Sequence, residues 1–354
     1  MPSEPPWQSA VERSVGASGM SRHTLTTSRR GLLTGALALA AAGAAAAGVA
    51  SCDAGRPAVP FDTSDPTRVR WPGHQPGRLY LGVSQEDEDL SALEDQVGPL
   101  GAHRNFFDFW SIAEEVAVIR ADHAHGRLPW VSFKGPSSGE TGWDTVASGG
   151  VDDHLRRRAR AYDQIADPIV VTFHHEPSGD AAGSPEQFAA AYAHVHDVMR
   201  DETGMSNVAL VPVLGEWEFN PSNSRSAPHR YLDDRVLQRS AFIGVDLYQN
   251  ASGATYGERL GRILSQLDAW GRPDLMVGVG ETGCTDAYRV PAVQWWNDSF
   301  GWAAANTQRI GVISYFNSAR NSRPEAYWPL DETAAKTAAF AASLRSHVTC
   351  RLPA

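Results

Sequence analysis

The chain has 354 residues and a formal charge of −10, with 42% apolar residues, 9% aromatic residues and three cysteines. This length suits one large domain or two ordinary ones and excludes a mini-protein. Nucleic-acid binding needs clustered Lys and Arg to contact phosphates, and this acidic sequence contains no long basic run. We therefore expect no nucleic-acid partner.

Residues 1–51 have the layout of an export signal. Arg29 and Arg30 precede an uncharged, Ala-rich stretch, as in a twin-arginine leader, and we expect translation to start at Met20. The stretch ends in small residues before Cys52, which resembles a bacterial lipobox. We expect cleavage there and lipidation of Cys52. The alternative is a retained membrane span, although Ala and Gly favour insertion less than Leu or Ile.

The rest of the chain divides into a short tether and one catalytic domain. Residues 52–77 are rich in Pro and Gly with little periodicity, which is typical of a tether, and residues 78–354 carry the regular patterns. The resulting hypothesis is a protein exported by the twin-arginine route and held at the outer face of the membrane. Its only contact with the membrane would be the lipid at Cys52.

Short apolar runs alternate with longer helical patterns from Arg78 onward. The predicted strands are Arg78–Ser84, His103–Trp110, Leu128–Gly135, Pro168–Glu176, Asn207–Gly215, Phe242–Tyr248, Leu275–Glu281 and Arg309–Asn317. The predicted helices include Ser111–His125, Val151–Ala166, Pro185–Glu202, Tyr256–Trp270, Ala292–Ala305 and Thr333–Arg345. Eight apolar strands in strict alternation with helices predict a single (β/α)8 TIM barrel, whose usual length of about 250 residues matches this span.

Polar and aromatic residues follow most of the predicted strands, at the end of the barrel where TIM-barrel enzymes place their chemistry. Two carboxylates stand out, because Glu176 ends the fourth strand and Glu281 ends the seventh. Hydrolysis of a glycosidic bond with retention needs one carboxylic acid to protonate the leaving oxygen and a second carboxylate about 5 Å away to attack the anomeric carbon. Glu176 and Glu281 are the predicted pair.

These residues resemble the clan A glycoside hydrolases, and His175 directly before Glu176 is similar to glycoside hydrolase family 26 in particular. The resemblance implies that Glu176 is the acid/base and Glu281 the nucleophile. It also implies that His175 contacts the sugar or the carboxylates and that Tyr248 donates to the nucleophile. Many members of the family act on β-mannan, and others on mixed-linkage β-glucan or β-1,3-xylan. Pro177 and Ser178 depart from the Met-Asn-Gly that often follows the acid/base, which leaves mannan preference open.

Other strand-end residues are candidates for binding the sugar chain. The predicted contacts, besides His175 and Tyr248, are Trp110, Trp143, Trp217, Asp246, Asn317 and Trp328. The implied function is a monomeric retaining endo-β-glycanase that acts on a polysaccharide and needs neither metal nor cofactor. The GxGxxG of Gly278, Gly280 and Gly283 lacks the helix that nucleotide binding requires.

Two alternatives remain open for the function. A carbohydrate-binding lipoprotein on a glycosidase barrel would retain the aromatic residues without turnover, and another clan A enzyme could act on chain ends. Cys284 follows the seventh strand, whereas Cys350 follows the last helix and belongs to the opposite face of a barrel. We therefore predict two free thiols rather than a disulfide, which would need Cα atoms within about 7 Å.

Overall fold

The computed structural model describes residues 68–85, 90–134, 142–179, 183–201, 204–223, 226–319 and 327–353. The predicted leader over residues 1–51, Cys52 and the beginning of the predicted tether lie outside these ranges. Their export and lipidation therefore stay predictions.

Within these ranges, ten parallel strands form one sheet. They are β1 (Leu79–Ser84), β2 (Ala102–Asp108), β3 (Leu128–Lys134), β4 (Ile169–Phe173), β5 (Val208–Leu210), β6 (Val213–Gly215), β7 (Ile243–Asp246), β8 (Val277–Thr282), β9 (Ile310–Phe316) and β10 (Thr349–Cys350). Their order across the sheet is β5-β4-β3-β2-β1-β9-β8-β7-β6, with β10 beside β1. All eight predicted strands are present, so the predicted fold class is confirmed as a TIM-barrel-like α/β fold.

The predicted fifth strand is interrupted at Pro212, and its two parts join the ends of the sheet. β5 pairs with β4, and β6 pairs with β7. Between them, the Val211 amide donates to the Val171 carbonyl and the Gly244 amide donates to the Pro212 carbonyl. Proline has no amide hydrogen, so it can accept from one neighbour but cannot donate to the other. The unbroken chain from β5 to β6 therefore bridges β4 and β7.

Helices alternate with these strands. They are α1 (Leu90–Val97), α2 (Ile112–Ala124), α3 (Trp143–Ala147), α4 (Asp152–Asp163), α5 (Pro185–His196), α6 (Pro228–Tyr231), α7 (Asp234–Arg239), α8 (Tyr256–Ala269), α9 (Ala292–Ala305) and α10 (Ala334–Leu344). Capping boxes at Ser184 and Thr255 satisfy the free amides that begin α5 and α8. All six predicted helices are confirmed; α5 continues as a π-helical turn over Asp197–Asp201.

One long charged side chain lies inside the barrel. Arg104 of β2 is fully buried, and its guanidinium carbon lies 5.1 Å from the centre of the Trp130 ring. Gly280 of β8 leaves room for the guanidinium, because a Cβ there would lie 1.9 Å from Arg104 Nη1. A buried cation needs compensating charge, and the carboxylates at the strand ends supply it.

The predicted tether is wrong over its last residues, because the segment around Trp71 packs against the barrel. Trp71 is 3% exposed, and its ring lies 5.1 Å from Phe242 and 6.2 Å from Tyr80. The Tyr80 hydroxyl donates to the carbonyl of Gly73. A buried Trp contributes too much apolar area for a free linker. The folded domain therefore begins before Arg78.

Cys284 and Cys350 are both free, as predicted, and the structure buries both of them. Cys350 lies on β10 beside Tyr80 near the start of β1, whereas Cys284 follows β8 at the other end of the barrel. Burial raises the pKa of Cys284 to about 11 and that of Cys350 to about 12, so both thiols stay protonated at neutral pH.

Thiol titration of a protein lacking the leader and Cys52 should therefore find two groups after unfolding without reductant. The folded protein should react slowly at pH 8, because the thiolate is the reactive form and both sulfur atoms are shielded. A Cys284→Ser variant should yield one group under the same unfolding conditions. Finding no thiol in the unfolded wild-type protein would contradict this arrangement.

Within the described ranges, no helix combines the length and the apolar character needed to cross a bilayer.

Candidate active site

Glu176 lies on a kink that directly follows β4. His174 and Glu176 have φ angles of 51° and 48°, a left-handed conformation that non-glycine residues adopt at a cost of order 1–3 kcal/mol. Two backbone bonds compensate, since the His174 amide donates to the Phe133 carbonyl and the Glu176 amide donates to the Val213 carbonyl, both at 2.9 Å. The predicted fourth strand therefore ends three residues early, at Phe173. The kink brings Glu176 alongside β6.

Glu281 lies within β8 and is held by Tyr248, which follows β7, and by Arg104 of β2. The Tyr248 hydroxyl donates to Glu281 Oε2 at 2.5 Å. Arg104 Nη1 lies 3.7 Å from Glu281 Oε1, close enough for an ion pair. A carboxylate with a charge-assisted hydrogen bond on one oxygen and a cation near the other has little freedom to rotate. The predicted contact between Tyr248 and Glu281 is present.

Strand register brings the two glutamates to one level of the barrel. Gly215 of β6 is aligned with Asp246 of β7, which is aligned with Glu281 of β8. A Cβ added to Gly215 would lie 3.4 Å from Glu176 Oε1 and 2.4 Å from Trp217 Nε1. Only glycine leaves that volume to the indole, while the carboxylate lies at ordinary contact distance. Glu176 and Glu281 thus share one rim, with Asp246 between them.

Asp246 was predicted to contact substrate, and this is wrong because its carboxylate is buried beneath the site. Arg104 Nη1 donates to Asp246 Oδ1 at 2.8 Å, and neither side chain is exposed. A Cβ on Gly280 would lie 1.9 Å from Arg104 Nη1, so the glycine is what lets this pair pass under β8. Asp246 therefore positions Arg104, which in turn faces Glu281.

The electrostatics of the cluster favour a retained proton. Burial raises the pKa of Asp246, and Glu281 and Glu176 raise it further against the opposing effect of Arg104. Burial and the same carboxylates raise the pKa of Tyr248, so its hydroxyl remains a donor at neutral pH. Carboxyl groups that share one cation titrate as a coupled set, and their mutual repulsion makes one proton harder to remove. Asp246, buried beneath the rim, is therefore the carboxyl group of this cluster that holds a proton more tightly than usual.

His175 lies beside an open groove of about 450 Å³ that continues from the site over the ends of β2 and β3. Its ring is 4.9 Å from that of Phe106, which is 40% exposed. Burial, together with Lys134 and Arg104, lowers the pKa of His175, so the imidazole is neutral at pH 7. Its Nδ1 is buried and has no hydrogen-bond partner among the described residues. The side chain as a whole is partly exposed, so the rest of the neutral ring is the part that can meet a sugar.

Two predicted sugar contacts border the glutamates. Trp328 is largely buried, and its ring lies 4.9 Å from that of Tyr248 in a tilted arrangement. Trp217 is partly exposed next to Gly215, close to Glu176. Asn317 instead holds the segment that carries Trp328. Its amide nitrogen donates to Gln85 Oε1 at 2.5 Å, and its amide oxygen accepts from the Leu330 amide at 2.7 Å.

The other two predicted tryptophans lie away from the glutamates. The prediction that Trp143 contacts substrate is wrong, because its side chain is 2% exposed and packs 5.4 Å from Phe188. Its Nε1 donates to His174 Nδ1 at 3.2 Å, which buries both polar groups. Trp110 is 51% exposed, and its ring lies 4.4 Å from that of His154 on α4. Exposure alone therefore does not place Trp110 in the cleft.

Replacing Trp143 with alanine should lower the free energy of unfolding by about 3–5 kcal/mol, because a large buried ring leaves a cavity. Trp110→Ala is the matched control and should change it by no more than about 0.5 kcal/mol. Denaturant unfolding of both variants measures the difference. A Trp143 variant as stable as the Trp110 variant would mean that Trp143 is not a core residue.

Sequence reasoning missed Arg104 and Phe106 as parts of the site. Both lie on β2, where the alternation of the strand turns them towards the interior together. A signal was present, because His103, Arg104 and Asn105 interrupt an apolar strand with three polar side chains, all buried. The described residues include no group of three or more His, Cys, Asp or Glu suited to a metal ion.

The fold has clear relatives among solved structures. An endo-β-1,4-mannanase from Cellulomonas fimi aligns with 77% of this chain and 72% of its own, with a TM-score of 0.55 and 18% identity. The fold is similar to that of family 26 glycoside hydrolases. A second family 26 endo-β-1,4-mannanase, from Bacillus sp. JAMB-750, aligns over 78% of this chain and 88% of its own, with a TM-score of 0.52 and 14% identity.

A third relative was solved with a bound sugar chain. The β-mannanase from a symbiotic protist of the termite Reticulitermes speratus, complexed with a gluco-manno-oligosaccharide, aligns over 78% of this chain and 89% of its own. Its TM-score is 0.53 and its identity 14%. No family model and no curated protein matches the sequence. At these identities the likeness concerns the fold.

Proposed function

We propose that the protein is a retaining glycoside hydrolase that cleaves β-linked polysaccharide internally, with β-mannan as the first candidate substrate. Glu281 is the nucleophile and Glu176 the acid/base. The observation that carries the proposal is the pair of carboxylates on one rim, with Glu281 fixed by the Tyr248 hydroxyl at 2.5 Å. The similarity of fold to family 26 mannanases supports the choice of substrate.

The chemistry has two steps. Glu281 attacks the anomeric carbon while Glu176 protonates the departing oxygen, which gives a glycosyl-enzyme. Glu176 then takes a proton from water, which displaces Glu281 and restores the original configuration. Tyr248 and Arg104 stabilise the charge that returns to Glu281. His175, Trp217 and Trp328 contact the sugars around the cleavage point.

The groove beside His175 gives the polysaccharide a path out of the active site. Phe106 lines it with a flat apolar ring, and Asp108, Lys134 and Glu114 line it with polar groups. Pyranose rings stack on aromatic faces while charged side chains bind their hydroxyls. An open groove of this kind supports internal cleavage, because a closed end would be needed to select chain termini.

Assays of reducing-sugar release on mannan, galactomannan, lichenan, xylan and β-1,3-xylan test the proposal. We expect release from mannan or galactomannan together with a rapid fall in viscosity, and the first product should keep the β configuration by NMR. Binding to one polysaccharide without release from any would favour a carbohydrate-binding protein. Slow loss of viscosity with release of single sugars would favour action on chain ends.

We also propose export by the twin-arginine route and anchoring through a lipid at Cys52, supported by the Arg29-Arg30 pair and the small residues before the cysteine. Replacing Cys52 with serine should move the protein from the membrane fraction to the medium or the soluble exported fraction. An Arg29→Lys, Arg30→Lys variant should retain the protein inside the cell. Membrane association that survives Cys52→Ser would support a retained span.

A further inference from the structure

A buried ion pair behind the rim is not accounted for by the proposed chemistry. Glu216 follows β6, and Arg259 lies in the first turns of α8. Arg259 Nη2 donates to Glu216 Oε2 at 2.5 Å, and their side chains are 5% and 8% exposed. Taking two charges out of water carries a large desolvation penalty, which their attraction offsets only in favourable geometry. Stability alone is therefore a weak reason for this pair.

The second contact of Arg259 leads to the nucleophile. Arg259 Nη1 donates to the Tyr248 carbonyl at 2.6 Å, and the hydroxyl of the same tyrosine donates to Glu281 Oε2. Tyr248 lies beyond the end of β7, so its place depends on such anchors. On one side, the Leu247 and Gln249 amides bond to the carbonyls of Glu281 and Gly283. Arg259 supplies the anchor on the helix side.

Glu216, the other member of the ion pair, belongs to the segment that borders Glu176. Glu216 directly follows Gly215, where Glu176 Oε1 and Trp217 Nε1 approach the backbone. α8 holds this turn again further along, because Gln266 Nε2 donates to the Phe219 carbonyl at 3.0 Å. Arg259 therefore joins the segment beside the acid/base to the residue that orients the nucleophile.

We propose that Arg259 is a positioning residue that sets the hydrogen bond between Tyr248 and Glu281, with Glu216 as its fixed counter-ion. Guanidinium presents its donors in a rigid planar fork, so one side chain can hold a carboxylate and a carbonyl in a fixed relation. Loss of the fork would let the Tyr248 backbone shift. A hydroxyl displaced by about 1 Å would no longer form a 2.5 Å bond to the carboxylate. This inference rests on the proposed function.

The test compares Arg259→Gln with Arg262→Gln in the full-length enzyme. Arg262 lies on the same helix and approaches Glu216 at 3.5 Å, yet it is 29% exposed and is a matched control for the loss of one positive charge. We expect Arg259→Gln to lower kcat about tenfold with KM within twofold, and Arg262→Gln to change neither more than twofold. The acidic limb of the kcat profile should move to higher pH, because a carboxylate that loses a donor binds its proton more tightly.

A double-mutant cycle with Tyr248→Phe separates positioning from general structural damage. If Arg259 acts through the tyrosine hydroxyl, Arg259→Gln should reduce kcat less than twofold in the Tyr248→Phe background. Arg259→Lys should recover part of the loss, since an ammonium can reach one of the two acceptors. A tenfold loss in both backgrounds, or a loss that follows unfolding alone, would overturn the inference.

Two further outcomes have distinct meanings. If Arg259→Gln does not fold, Glu216→Gln replaces it and should give a smaller fall in kcat with the same shift of the acidic limb; an unchanged profile would overturn the inference. An active wild-type enzyme with a fully active Arg259→Gln variant would overturn the role of Arg259 and leave the proposed function intact. A wild-type protein inactive on every polysaccharide would overturn both.

Discussion

Replacing Glu281 with alanine should reduce turnover by on the order of 10⁴-fold or more, because the nucleophile of a double displacement has no substitute among its neighbours. Arg104 and Tyr248 can only donate hydrogen bonds there, and the Asp246 carboxylate is turned towards Arg104 at 2.8 Å. The measurement is kcat on the best polysaccharide and on an aryl glycoside of the same sugar. Asp331→Asn, an exposed carboxylate in the segment after β9, is the control and should remain active.

Azide provides the second part of this test. The space left by the Glu281 side chain should admit a small anion, which attacks the anomeric carbon of an activated aryl glycoside and yields a glycosyl azide of inverted configuration. Rescue by azide shows that the rest of the site remains assembled. An inactive variant without rescue would be consistent with misfolding, which thermal unfolding checks. A fully active Glu281→Ala variant would remove Glu281 from the mechanism.

Much of the fold was predictable, because the alternating strands and helices of a parallel barrel have a simple sequence pattern. Strands buried on both faces read as continuous apolar runs, so β1, β3 and β9 were located to within a residue at each end. The break in the fifth strand also carried a signal, since Pro212 cannot donate to a neighbouring strand. The short helices α1, α3, α6 and α7 were not among the predicted helices, because four to eight residues show a helical period poorly.

In the site, only the residues at predicted strand ends could be located from the sequence. Glu176 and Glu281 stand out because both end predicted strands, but the left-handed conformation of His174 and Glu176 depends on contacts with β3 and β6. Tryptophan in a loop gives no indication of the side to which it turns, which is why Trp143 was assigned to the substrate and lies in the core. The prediction for Trp71 failed in the opposite direction. Its segment has the composition of a linker, but the residue lies in the core.

Replacing Glu176 with alanine should have an effect that depends on the leaving group. On polysaccharide, the departing sugar oxygen needs a proton. Loss of the Glu176 carboxyl group that donates it should lower turnover about 10²–10⁴-fold. On an aryl glycoside with an acidic phenol, the first step needs little protonation, so glycosyl-enzyme should still form and then accumulate because no base activates water. The measurement is the ratio of kcat on the two substrates, together with a burst of phenol.

The same variant separates an acid/base role from simple disturbance of the rim. Glu176 sits on a strained backbone and shares the space above Gly215 with Trp217, so its removal could also displace the indole. Displacement of the indole would weaken the binding of both substrates alike and raise KM. Loss of the proton donor should instead spare the first step on the aryl glycoside. Azide should speed release from the glycosyl-enzyme and give a product of retained configuration, because it enters from the side that Glu176 has vacated. Equal losses on both substrates, with no burst and no azide effect, would mean that Glu176 is not the acid/base.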